Sequence, residues 1–119
     1  MKPKIFITRK IPSSALDMLT MACEVDMWEE EDIPVPRNVL EQKVRDVEGL
    51  LCLLTEAIDR PLLEQAPHLK VISNMAVGYN NIDVAEASSR AIMVTNTPGV
   101  LTETTADLTF ALLMRPRGG

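Results

Sequence analysis

The stretch Met75-Ala76-Val77-Gly78-Tyr79-Asn80-Asn81-Ile82-Asp83 holds the residues best placed to do chemistry. Gly78 has no Cβ, so a ligand can come close to its backbone, and it is free to adopt positive φ. Successive N–H groups around Val77 and Gly78 can then converge into a small anion nest, a geometry suited to a carboxylate. An ordinary tight turn with Gly78 at its left-handed position explains the same residues without a ligand. Before the stretch, Leu69-Lys70-Val71-Ile72-Ser73 reads as a short buried strand. After it, Asn81 or Asp83 can cap a helix running through Val84-Ala85-Glu86-Ala87. The stretch is therefore a strand-to-helix loop, and such loops lie at the carboxyl edge of open α/β sheets, where ligands bind.

Other reactive groups are few. His68 is the sole histidine. It falls in the loop entering the strand at Leu69, at the opposite, amino edge, and reads as a surface residue. Cys23 and Cys52 are isolated, without metal-ligand spacing, and read as small buried residues of a reduced, intracellular protein. No metal site is expected. Gly49, Gly78, Gly99, Gly118 and Gly119 are the five glycines. They form neither G-x-G-x-x-G nor a P-loop, so no phosphate-cradling turn is visible.

The elements that must position the focal loop alternate along the chain. Lys4 to Thr8 has the character of a first strand, and Pro12 and Ser13 start a helix carrying Ala15, Leu16, Leu19 and Ala22. Glu24 to Trp28 alternates polar and apolar, as an edge strand does. A helix from Pro36 places Leu40, Val44 and Val47 on one face. Gly49 to Leu54 is a nearly continuous apolar run, the mark of a strand buried on both sides. A short helix from Asp59 and Pro61 ends near Gln65. Ala91 to Val94 reads as the fifth strand, followed by a last helix from Thr102 to Met114. This alternation implies an α/β fold: a five-stranded parallel sheet of flavodoxin-like order 2-1-3-4-5 with helices on both faces.

Composition narrows the classes. The 119 residues leave room for one modest core, 46% of them are apolar, and the core must be aliphatic because only four are aromatic. The net charge is −5 with no Lys/Arg cluster, which argues against nucleic-acid and anionic-membrane partners. The run Glu29-Glu30-Glu31-Asp32 reads as a solvated loop. No apolar run is long enough to span a membrane, and no signal peptide precedes the first strand, so a cytoplasmic protein is expected.

Two blocks carry a resemblance. Ala76-Val77-Gly78-Tyr79-Asn80-Asn81-Ile82-Asp83 is followed by Thr95-Asn96-Thr97-Pro98-Gly99-Val100-Leu101-Thr102-Glu103-Thr104-Thr105-Ala106-Asp107-Leu108. Their order and spacing resemble the D-isomer-specific 2-hydroxyacid dehydrogenases, nearest to the glyoxylate/hydroxypyruvate reductases. The similarity runs from about Lys4 to Met114 and breaks at Arg115.

The resemblance implies a division into a flavodoxin-like substrate domain over 1–101, an interdomain helix over 102–114 and a short tail over 115–119. It implies a small 2-keto or 2-hydroxy acid as substrate and NAD or NADP as cofactor, held mainly by a Rossmann domain outside these residues. By the same resemblance, Val77 and Gly78 N–H groups hold the substrate carboxylate, Leu53 walls the substrate's small end, and Thr105 contacts the nicotinamide side. Packing alone would also explain Leu53, and a plain first-turn position would explain Thr105. The family's catalytic histidine, its carboxylate partner and the substrate arginine belong to the second domain and are not carried over to His68, Arg115 or Arg117. No catalytic residue and no activity are therefore expected of these residues alone. A homodimer, or self-association through Phe110, Leu112 and Leu113 of the last helix, is expected of an apolar face lacking its second domain. The competing readings are a stand-alone flavodoxin-like module that binds a ligand or partner, and a receiver domain. The receiver is disfavoured because Thr8-Arg9-Lys10 and Leu54-Thr55 stand where its acidic residues would be.

Overall fold

The computed structural model describes residues 2–30, 32–75, 78, 80–96, 106, 108, 109, 111 and 112. The described elements alternate along the chain: β1 (Lys4–Ile7), α1 (Ser13–Ala22), β2 (Glu24–Met27), α2 (Arg37–Lys43), β3 (Gly49–Cys52), α3 (Arg60–Glu64), β4 (Val71–Asn74), α4 (Val84–Ser89) and β5 (Met93–Asn96). The five strands form one sheet in the order β2-β1-β3-β4-β5, and every pairing is parallel. The expected order and class are thus observed.

Strand alternation sorts the core into two layers. Phe6, Leu50, Cys52 and Ile72 face Leu40 of α2, Leu62 and Leu63 of α3, and Ala87 of α4. Ile5, Ile7, Leu51 and Val71 face Ala15 and Leu19 of α1, together with Leu108 and Ala111. The latter two belong to a helical run described at Ala106, Leu108, Thr109, Ala111 and Leu112. Gly49 permits this packing. A Cβ there would stand 2.8 Å from Ile5 Cγ2 and 3.3 Å from Leu108 Cδ1.

Of the last helix's apolar residues singled out in the sequence, Leu112 is half-buried and packs on the α1 layer. Phe110 and Leu113 lie outside the described residues.

Several boundaries differ from the sequence reading, each for a local reason. β3 ends at Cys52, so Leu54 is 57% exposed instead of buried. α2 stops at Lys43, and Val44 and Val47 reach the core from the turn beyond it. α1, by contrast, begins at Ser13 as expected, with Pro12 at its N-cap and no side-chain cap. β5 starts two residues later than expected because Ala91 is taken up in ending α4, at φ 60°. The Ala91 N–H bonds Ser88 O at 3.0 Å and the Ile92 N–H bonds Ala87 O at 2.9 Å, the two bonds of a Schellman closure.

Candidate functional site

Parallel pairing sets four strand ends side by side at the carboxyl edge. Cys52 lies opposite Asn74, and Asn74 opposite Asn96. The apolar strands turn polar there. Thr8, Ser73 and Asn74 are all buried, and the Ser73 and Thr95 hydroxyls pair at 2.9 Å across β4 and β5. Buried polar groups must find partners, so this edge is knit by side chains.

Two networks do the knitting. In the first, the Glu56 carboxyl group, only 4% exposed, accepts from the Thr8 hydroxyl at 2.5 Å and the Leu53 N–H at 3.1 Å. It also accepts from the Thr55 hydroxyl. This ties the end of β1 to the loop after β3. The second centres on two carboxamides. Asn74 Nδ2 donates to Gly78 O at 2.8 Å and to Asn81 Oδ1 at 3.0 Å. Asn81 Nδ2 donates to Leu53 O and Glu56 O, both at 3.0 Å. Backbone bonds reinforce the join: Ile58 N–H to Asn81 O at 2.7 Å and Asp83 N–H to Ile58 O at 2.9 Å. Beneath them burial pushes the Cys52 thiol far up, with the Glu56 charge adding to the effect, so it stays protonated and unreactive.

Of the expected site residues, Leu53 and Gly78 are brought to this edge. Both are half-buried and are linked through Asn81 and Asn74. Val77 and Thr105 lie outside the described residues. The Asn74 amide holds the Gly78 carbonyl. No described atom lies within 4 Å of a Cβ built there, so Gly78 faces open space into which a ligand can come close. Of the two capping candidates, Asp83 caps α4, accepting from the Glu86 N–H at 3.0 Å, and that leaves Asn81 to bridge the loops.

His68 is exposed at the amino edge, as expected, in an open cleft of about 430 Å³ shared with Lys2, Glu48 and Lys70. Charges there are paired, Lys70 with Glu48 at 3.1 Å and Lys4 with Asp46 at 3.7 Å. The carboxyl edge, where Leu53 and Gly78 are brought together, is the better candidate. Among the described residues no His, Cys, Asp and Glu cluster could hold a metal ion, and no helix is long and apolar enough to cross a membrane.

Sequence reasoning missed Glu56, Asn74 and the bridging role of Asn81. The available signal was polar residues placed directly after apolar strands: Thr8 after β1, Thr55-Glu56 after β3, Asn74 ending β4.

The chain is similar to known proteins over nearly its whole length. It is 54% identical over 114 residues to the glyoxylate reductase of Thermococcus litoralis, covering 96% of this chain and 34% of that enzyme. The Pyrococcus furiosus glyoxylate reductase gives the same figures. A solved Thermus thermophilus protein superposes with a TM-score of 0.75 at 39% identity, over 93% of this chain and 35% of that one. The NADPH-dependent glyoxylate/hydroxypyruvate reductase of Sinorhizobium meliloti, solved with NADP and malonate, gives a TM-score of 0.59 at 34% identity over 96% of this chain and 34% of that one. The chain thus spans about a third of the length of these relatives. Residues 5–112 match the profile of the D-isomer specific 2-hydroxyacid dehydrogenase catalytic domain, and the chain belongs to that oxidoreductase family.

Proposed function

We propose that these residues form the substrate side of an NAD(P)-dependent reductase that converts a small 2-keto acid, glyoxylate or hydroxypyruvate, to the D-2-hydroxy acid. The observation that carries this is Gly78, half-buried at the carboxyl edge with open space where a side chain would stand, in a chain so similar to glyoxylate reductases. The malonate in the Sinorhizobium meliloti relative supports a small carboxylate as the occupant.

In this reading the Val77 and Gly78 N–H groups orient the carboxylate, and Leu53 limits the size of the group beyond the keto carbon. Thr105 faces the nicotinamide. The five glycines build no phosphate loop, so the dinucleotide is held by residues outside this sequence, and it supplies the hydride. The proton donor to the keto oxygen also comes from outside, because His68 sits at the wrong edge. The substrate domain over 1–101, the connecting helix over 102–114, a cytoplasmic location and a homodimeric enzyme belong to the same reading.

The test joins this chain in frame, after Met114, to the coenzyme domain of a related reductase. The chimera is expected to oxidise NADH or NADPH with glyoxylate or hydroxypyruvate, and the 119-residue chain alone to give no turnover. Gly78→Val in the chimera should raise KM for the keto acid by filling the space above the backbone. A chimera that binds cofactor but turns over no 2-keto acid would leave a ligand- or partner-binding module as the reading. Turnover by the chain alone would mean that the proton donor is within it.

A further inference from the structure

We infer that Asn81 is a positioning residue that makes the two substrate walls, the Leu53 loop and the Gly78 loop, a single rigid unit. The inference rests on the keto-acid reading of this edge and adds a role for a residue that touches no substrate in it. Asn81 Nδ2 carries two hydrogens, and both are used by the Leu53 and Glu56 carbonyls at 3.0 Å. Two carbonyl oxygens in those places accept only from an amide nitrogen, which fixes the orientation of the carboxamide. Its Oδ1 accepts from Asn74, whose other amide hydrogen goes to Gly78 O. A chain of three side-chain hydrogen bonds thus runs from the Leu53 peptide to the Gly78 peptide. No donor of either amide is left for a ligand.

The geometry has a consequence for binding. Among the described residues, the loop after β3 and the loop after β4 share one ladder pairing beyond the strands, the Ile58–Ile82 bridge. Without the carboxamide link each wall samples its own conformations, and the substrate must order both. With it, that cost is met on folding.

The test uses the ¹⁵N-labelled 119-residue chain titrated with glyoxylate and with hydroxypyruvate. In the unaltered chain the Leu53 and Gly78 amides should shift together with one Kd. Asn81→Ala should raise that Kd about tenfold and speed hydrogen exchange at the Ile58 amide. Asp83→Ala, which removes the α4 cap on the same loop but not the link, is the stability control. It should lower Tm by a comparable amount and leave the Kd unchanged. If Asn81→Ala does not fold, Asn81→Ser replaces it, since a hydroxyl is too short to reach both carbonyls. Unchanged affinity in the Asn81 variant, or loss of affinity in proportion to Tm in both variants, overturns the positioning role. Absence of any shift at Leu53 and Gly78 in the unaltered chain overturns the keto-acid reading, and the role of Asn81 with it.

Discussion

The Thr8 hydroxyl donates to the Glu56 carboxyl group at 2.5 Å, a bond that joins the ends of β1 and β3 across 48 residues of sequence. Glu56 is nearly fully buried and also satisfies the Leu53 N–H. Glu56→Ala therefore strands a buried hydroxyl and a backbone donor together. A loss of about 2–3 kcal/mol is expected in chemical denaturation, because unpaired buried donors keep their desolvation penalty. Glu56→Gln keeps one acceptor oxygen and should lose less than half as much. Equal losses for the two variants would mean that volume, not hydrogen bonding, is what Glu56 contributes.

Gly49 is the point at which the C-terminal helical residues meet the sheet. Gly49→Ala puts a methyl 2.8 Å from Ile5 Cγ2, which is a buried, β-branched atom with nowhere to swing. Overpacking of this kind costs about 1–3 kcal/mol. Ile5→Leu moves the branch from Cβ to Cγ and vacates that point. The double variant should recover part of the loss, giving a favourable coupling energy in a thermal double-mutant cycle. Strict additivity would place the strain elsewhere, for instance against Leu108 or Leu112, at 3.3 and 3.4 Å.

The strands were legible because apolar β-branched runs between polar breaks have few alternatives, and Leu50, Leu51 and Ile72 are fully buried as such runs require. Order followed from the contrast between β2, half exposed, and β3, fully buried. What was not legible depends on partners distant in sequence. Glu56 follows Thr55 in what looks like a surface loop, and only Thr8, brought alongside by the parallel pairing, makes it interior. Asn81 looked like a helix cap because Asn caps helices, yet Asp83 takes that place and Asn81 turns to the Leu53 and Glu56 carbonyls. For Gly78 the missing Cβ was legible in the sequence, and it leaves room at the carboxyl edge.

Asp59 supplies a pH-dependent term. Its carboxyl is held below the ordinary range by the hydrogen bond from Arg37, 2.7 Å away, with the Leu62 N–H contributing at the α3 cap. A depressed folded-state pKa stabilises above the unfolded value of about 3.9 and is lost as pH falls through the lower folded value. The Asp59 side chain is 47% exposed, so solvent screening limits the pair to about 1 kcal/mol or less. Asp59→Asn keeps a good N-cap and removes only the charge. The stability gap between the two proteins should be largest near neutrality and close as pH drops below about 4. A gap that persists in acid would assign the loss to the cap.

Ala91 offers the opposite kind of test, a substitution expected to stabilise. It holds φ at 60° in the closure of α4, where an L side chain crowds its own carbonyl at a cost of about 1–2 kcal/mol. Its N–H bonds Ser88 O, and the next N–H, from Ile92, bonds Ala87 O. Both Ile92 and Ala87 are buried in the same core layer, so the strained residue is held by packing on either side. Ala91→Gly removes the strain and keeps both bonds. Glycine also gives the unfolded chain more freedom, which returns roughly 0.5–1 kcal/mol of the gain. The net expectation is a stabilisation of about 0.5–1 kcal/mol, read as a higher denaturant midpoint with an unchanged slope. Ala91→Val, whose β-branch is poorly tolerated at positive φ, should destabilise. If Gly and Val shifted the midpoint in the same direction, backbone strain would not be what sets stability at this turn.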